Sequence, residues 1–569
     1  MKNFKKKLII IAVVVLIGLL VAAVFPFILP WSYSNTDANF TNTTPDFDIT
    51  SLFLQYNFGD GENTYTDLSV LGTRGFALKS YKVANMYFGL PVTSIAPGAF
   101  ANNTTLESIT LPENLKYISE NSFDGCTSLK TVSLPSSLVT VSDTAFNNCT
   151  SLQYNEYENA LYLGNDSNPY VALMKVIDPE VSSFTIHSGA VVIADFAFAE
   201  CKNIETITFE GGIPMYTYNE LPLLQSVSVL GDATTVPGGA FRECSALKEV
   251  VLPDTIQTIE NNAFASCNML KSINMPKSLV TIGNSAFSKC KLLSNVELPE
   301  TVTSIGNSAF AGCSYLTSIN LPDSITSIGE SAFAQCTGIK EIHIPASLTE
   351  IKNYSFMGCM SIKSIEIPEG VTSIGMSAFD SCVSLANVKF PQSLKNIGST
   401  AFTMCSALAE INLPDSVTHI GDYAFSDCTS VERVSISQYV EKIGAGPFYG
   451  CEKLVSIDVD ENNPNYKSID GNLYSKDEKT FIQYAMGKEN VPFYIPDTVT
   501  IIGDSAFRGC RSLKNVIIPA SVENVQAFAF FACSFDMNIY CEIQGEPSNW
   551  DKSWNYSKLE VYWGYDENN

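Results

Sequence analysis

A β-rich solenoid is the fold class this sequence predicts, with coils of 23 residues, about 17 of them. Two observations predict it. Fifteen of the sixteen cysteines fall in one column of a repeat, and ten of them, from Cys244 to Cys451, follow one another in unbroken steps of 23. A phenylalanine stands three residues before each, usually as Ala-Phe, as in Ala263-Phe264 before Cys267 and Ala309-Phe310 before Cys313. A fixed period of this size marks a chain whose turns bury their apolar sides only against their neighbours. At ~4.8 Å per coil such an array would run about 80 Å.

The chain opens on its one basic segment. Lys2, Lys5, Lys6 and Lys7 precede an uncharged run from Leu8 to Leu29. Those 22 residues would span about 33 Å as a helix, enough for a bilayer core. Cationic residues stay cytoplasmic, so residues 1–30 read as a transmembrane signal-anchor with the repeats extracellular. The alternative is a cleaved signal peptide cut near Val21-Ala22-Ala23, which would make the protein secreted. Residues 31–80 begin Asn/Thr/Asp-rich and become more apolar, which predicts a linker and then an N-terminal cap.

Residues 81–541 hold the coils. One near-ideal copy runs Cys313-Ser-Tyr-Leu316-Thr-Ser-Ile319-Asn320-Leu321-Pro322-Asp-Ser324-Ile325-Thr-Ser-Ile328-Gly329-Glu-Ser-Ala332-Phe333. Leu316, Ile319 and Leu321 are expected to point inward, the last two by strand alternation. Pro322 ends the strand because it has no N–H to offer. Ser324 belongs to a hydroxyl column with Ser278, Thr301, Ser347, Ser393 and Ser416, suited to bonding turn backbone that the ladder leaves unpaired. Ile325 and Ile328 form a second extended stretch, and Gly329 is expected to supply a positive-φ turn. Cysteines of adjacent coils would carry parallel Cβ atoms ~4.8 Å apart, beyond the usual disulfide spacing. The column therefore reads as buried free thiols acting as small hydrophobes. No C-x-x-C pair or Cys/His cluster suggests a metal.

The pattern L-x-x-I-x-L-P, the Ile-Gly step and A-F-x-x-C, repeated in phase over about residues 91–541, closely resembles the BspA-type (Treponema-type) leucine-rich repeat of bacterial and protist surface proteins. Leu316-x-x-Ile319-x-Leu321-x-x-Ser324 aligns with the general L-x-x-L-x-L-x-x-N strand motif, and the first coil keeps the asparagine as Asn114. The resemblance implies a leucine-rich repeat solenoid that binds host matrix proteins or other cells.

Three gaps break the period. The 43 residues from Cys201 to Cys244 are one shortened coil of 20 and one normal coil, because Tyr218 falls 23 before Phe241. The longer gaps after Cys149 and Cys451 contain strand, turn and strand signals. Ala160-Leu-Tyr-Leu163, a Gly164–Pro169 turn cluster and Tyr170–Val176 predict a β-hairpin standing off the solenoid within about residues 154–180. Asp470-Gly471 between apolar flanks, with Phe481–Tyr484 as return strand, predicts another within about 460–490. Residues 542–569 carry Trp550, Trp554 and Trp563 and read as a C-terminal cap.

Composition and motifs narrow the function. The chain has 34 Lys+Arg against 59 Asp+Glu, net −25, which argues against nucleic acid as a partner. The sequence contains no H-E-x-x-H, G-x-S-x-G, P-loop or G-x-G-x-x-G motif, and His187, His343 and His419 are too scattered to converge. A non-catalytic protein without cofactor or metal is expected. The surface available for binding is the outward row of the strand motif, whose central members are Ser318, Asn320, Glu341, His343, Glu366, Asn387, Lys389, Glu410 and Asn412. The row is polar, mildly acidic and without aromatic anchors, which predicts weak or multivalent contacts. The leading expectation is recognition of an extracellular protein, or adhesion, at the cell surface. The alternatives are an envelope glycan-binding protein and a surface spacer without a specific ligand.

Overall fold

The computed structural model describes residues 52–58, 65–73, 79–83, 85–87, 90–214, 216–488 and 491–566. The anchor expected over residues 8–29 and most of the 31–80 segment lie outside the described residues. Among the described residues no helix is long and apolar enough to cross a membrane. They form a leucine-rich β-solenoid with almost no helix, in two compact units: one ends at Ile177 and takes in Gly189–Ala197, and the other comprises Asp178–Ser188 with Phe198 onward.

In the first unit Leu52–Phe58 and Tyr65–Thr73 pair antiparallel, and Leu90–Ile95, Tyr117–Ile118 and Thr140–Val141 then join them in parallel. A second sheet stacks Ser80–Lys82, Ser108–Thr110 and Thr131–Ser133. Ala160–Leu163 and Ala172–Val176 form the expected antiparallel pair, but they do not stand off. Ala172 and Leu173 face Val192 and Ile193 in parallel, so the return strand becomes a rung of the ladder. Consecutive apolar residues bury both faces of the strand where it joins the stack (Ala172 and Leu173 are 0% exposed), as in other parallel rungs.

The second unit carries two ladders. One contains the strand motif, as in Asn295–Glu297 against Ser318–Asn320. The other contains the residues before the Ile-Gly step, from Thr235–Val236 through Ser327–Ile328 and again from Glu350–Ile351 through Lys442–Ile443. Most parallel partners are 23 apart; the exceptions are Ser226 against Thr206 at the shortened coil, Thr480 against Ile501 after the later hairpin, and Asn538 against Glu560 at the C-terminal end. Tyr218 takes the phenylalanine place of that coil, its ring stacked 5.2 Å from Phe241. The later interruption is the antiparallel pair Tyr466–Ile469 and Asn472–Ser475, turned at Asp470-Gly471, and Thr480–Gln483 passes from it into the parallel ladder at Ile501–Ile502. This hairpin too is laced into the coils.

Four columns hold successive coils together. Phenylalanine rings from Phe241 to Phe448 stack face to face, as in Phe287 over Phe310 at 5.2 Å. From Cys267 to Cys451 each thiol donates to the carbonyl of the phenylalanine one coil back, at 3.0–3.3 Å. The hydroxyl column donates to backbone carbonyls 22 residues earlier: Thr301 to Leu279 at 2.6 Å, Ser324 to Val302 at 2.7 Å, Ser393 to Val371 at 2.8 Å, with Ser347 doing the same to Ile325. Asparagine side chains beside the glycines accept the next coil's N–H, as Asn284 does from Asn307 at 2.7 Å.

Gly329 corrects one expectation. Its backbone is not left-handed; positive φ falls at Ser331 (56°) and Gln335 (60°) instead. The glycine serves a close approach, because a Cβ there would lie 2.4 Å from the backbone nitrogen of Asn307 and 2.5 Å from the carbonyl carbon of Gly306.

All sixteen cysteines are free and buried. Burial pushes the Cys336, Cys382 and Cys533 thiols up to about 12, and desolvation raises most of the others. Only a thiolate reacts as a nucleophile. Cys244 to Cys451 should therefore resist alkylation at neutral pH in the folded protein and react fully after denaturation. Mass counting of adducts checks this, and native disulfides within the run would refute it.

Candidate recognition surface

Strand alternation builds the outward row. Ile319 and Leu321 are buried, and the residues on either side of Ile319 are turned to solvent. All nine residues singled out from the sequence are exposed. The parallel register places Ser364 beside Asn387 and Glu366 beside Lys389. It does not extend to the whole row. Glu341 and His343 lie outside any strand, and Ile411, between Glu410 and Asn412, makes only an isolated bridge with Val434. The row is thus cut into short pieces.

Several members are already engaged. Asn320 accepts the N–H of Leu298 at 2.6 Å and donates to its carbonyl at 2.9 Å, clamping the preceding coil. Ser318 donates to Asn295 at 2.7 Å, and Asn412 to Glu410 at 3.2 Å. Lys389 and Glu366 are 2.5 Å apart, and this bond holds the Lys389 ammonium above its usual range. His343 Nε2 lies 3.3 Å from Asp323 Oδ1; the Asp323 carboxyl is held low first by the N–H of Ala346 and then by His343. Both pairs are exposed, so each contributes little to stability. The arrangement offers hydrogen-bonding groups and single charges to a partner. Among the described residues no group of His, Cys, Asp and Glu is placed to hold a metal ion.

The sequence reading missed a groove. The ladder before the Ile-Gly step stops at Ser327–Ile328 and restarts at Glu350–Ile351. A polar groove of about 500 Å³ opens there, lined by Asn307, Glu330, Glu350, Lys352, Asn353 and Ser373 among others. Lys352 stands where neighbouring coils have glycine, and its side chain cannot enter the close approach that Gly329 and Gly375 make. The signal was available: this coil reads Ile351-Lys-Asn-Tyr-Ser355-Phe356, departing from Ile-Gly-x-Ser-Ala-Phe in three columns.

The family model described as "BspA type Leucine rich repeat region" matches residues 72–167, 178–291, 234–363, 349–480 and 485–545. No curated protein matches the chain. Among solved structures, the chain is similar to a leucine-rich repeat protein from Bacteroides ovatus, at 23% identity over 87% of this chain and 100% of that one, with a TM-score of 0.34. It is also similar to a leucine rich cell surface protein from Faecalibacterium prausnitzii, at 26% identity over 64% and 94%, with a TM-score of 0.28. A leucine rich repeat protein of T. pallidum is 21% identical over 51% and 88%, with a TM-score of 0.16.

Proposed function

The chain belongs to the BspA-type leucine-rich repeat family, and on that premise we propose a membrane-anchored extracellular protein, non-catalytic, that recognises a protein ligand or another cell through the outward row of its repeats. The observation that supports it most is register. Equivalent positions of successive coils are Cα partners, so side chains such as Glu366 and Lys389 recur side by side on one exposed face. Weak contacts repeated along a rigid row add up by multivalency. The lysines before the uncharged run Leu8–Leu29 support the anchor and its orientation.

The full chain in detergent, tested against immobilised matrix proteins, whole cells and glycan arrays, decides the ligand class. Saturable protein binding is expected, weakened about 10-fold or more by the combined charge reversals Glu341→Lys, Glu366→Lys and Glu410→Lys. Binding to glycans alone would replace this reading with glycan recognition. Binding to nothing would leave a spacer.

A further inference from the structure

Two columns of the second unit change character near its C-terminal end. The position after the repeat phenylalanine is small at Ala265, Ser288, Ala311 and Ala334, with Arg242 and Met357 as larger members, and holds Tyr449, Arg508 and Phe531 in the later coils. The position two before the phenylalanine is most often a small polar residue, as at Ser285, Ser308, Ser331 and Ser505, and is aromatic at Tyr354, Tyr423 and Phe528. The solenoid brings these together. The Arg508 guanidinium carbon lies 4.4 Å from the ring centre of Tyr449, 5.1 Å from Phe531 and 5.2 Å from Tyr423. Phe528 and Tyr556 pack edge to face on Phe531 at 5.9 and 5.5 Å, and Tyr556 is 62% exposed.

The cluster is held in place. Tyr423 Oη bonds Ser505 Oγ at 3.0 Å across 82 residues of sequence. Gly446 and Gly509 make room for the rings: a Cβ at Gly446 would meet Tyr423 at 2.8 Å, and one at Gly509 would meet Tyr449 at 2.6 Å. The guanidinium, by contrast, is unpaired. Its side chain enters no hydrogen bond or ion pair among the described residues, and its Nε is buried without a partner. Aromatic faces attract the cation but accept none of its in-plane hydrogen bonds. A guanidinium so placed is preorganised for a carboxylate, which takes two parallel N–H bonds.

We propose that the Arg508 cluster is a docking site for one aspartate or glutamate side chain of a protein partner, set in an apolar stretch that packs on Phe528 and Tyr556. Tyrosine and arginine are the residues that dominate protein hot spots. The surroundings select a single carboxylate over a polyanion. Asp427 stands nearby, its carboxyl raised by burial with Arg508 and Arg511 partly offsetting this, and Glu452 pairs with Arg511 at 3.3 Å. This proposal rests on the reading of the chain as a protein-recognition module and assigns it a second, separate contact surface.

The test selects a random displayed peptide library on the full chain, then measures synthetic peptides of the enriched sequences. Enrichment of an acidic residue beside aromatic or aliphatic ones is expected. Affinity should fall about 10-fold or more with Arg508→Gln, with Tyr556→Ala, or with amidation of the peptide acid, and Arg508→Lys should restore only part of it. Tyr556→Ala keeps the test decisive if Arg508→Gln does not fold. The Glu341, Glu366 and Glu410 reversals should leave peptide binding unchanged. Peptides without acid preference, retention of heparin or acidic glycans in place of peptides, or indifference to Arg508→Gln would each overturn the site. Loss only on reversal of the outward row would overturn it while leaving protein recognition standing, whereas failure to retain any peptide or protein would overturn both.

Discussion

Phe310→Ala should cost about 3–5 kcal/mol, the usual range for truncating a fully buried phenylalanine. The Phe310 ring is 0% exposed and stacked 5.2 Å from Phe287 and 5.6 Å from Phe333, so its removal strips contacts from both neighbours. No element outside the adjacent coils can move in to fill the void. In a linear array each repeat is stabilised only by its neighbours, so the damage should stay local. Hydrogen exchange would show it: amides of the coils carrying Phe287, Phe310 and Phe333 should exchange much faster, with coils near Phe530 unchanged. Tyr315→Ala, at a residue 63% exposed, is the control and should shift stability by less than about 0.5 kcal/mol. Equal effects of the two changes, or loss spread over the whole chain, would contradict the nearest-neighbour account.

The second large effect is expected at Gly329. Alanine there places a methyl 2.4 Å from the backbone nitrogen of Asn307, and neither backbone can withdraw without opening the ladder. A loss of about 1–3 kcal/mol follows, as for overpacking elsewhere. Gly312 makes the informative comparison. Its φ is 76°, yet a Cβ there meets nothing closer than 3.5 Å, and the same column holds Lys289 and Gln335 at φ 62° and 60°. Gly312→Asn should therefore change stability by less than about 1 kcal/mol, since asparagine tolerates that region. Denaturant unfolding monitored by hydrogen exchange of the flanking coils separates the two. If Gly312→Asn proves as damaging as Gly329→Ala, backbone conformation and not close approach governs both sites.

These two residues also mark what was legible in the sequence. Phe310 was placed in the repeating phenylalanine column, and Leu316, Ile319, Leu321 and the hydroxyl of Ser324 were assigned inward or bonding roles, from spacing alone, because a repeat states each column many times. The glycine was read with the wrong cause. A conserved-looking column says that a side chain is excluded there, but turn geometry and close approach exclude it alike, and only the distance to Asn307 separates them. The hairpins were seen as strands, yet their attachment was not, because alternation shows that a strand has an apolar face without naming the rung it packs on. The outward row was found residue by residue, while its interruptions at Glu341–His343 and at Ile411 were not, because these coils keep the strand pattern in sequence. The Arg508 cluster was invisible because Tyr423 and Arg508 are separated by 85 positions of sequence, which the coil stack and the later hairpin bring to one place.

The uniform step between partners has a genetic consequence. Where a coil meets only the coil before and the coil after, as in the regular run through Phe287, Phe310 and Phe333, unequal recombination that inserts or deletes a whole repeat leaves the stacked columns intact. Such events would lengthen or shorten the outward row while preserving its packing. Changes of other lengths are tolerated only where the aromatic column is restored, as Tyr218 restores it in the shortened coil. Copy number between Cys244 and Cys451 is therefore free to vary among related strains, whereas the coil around Lys352 and those that assemble around Arg508 are single, irregular copies whose loss could not be made good by duplicating a neighbour.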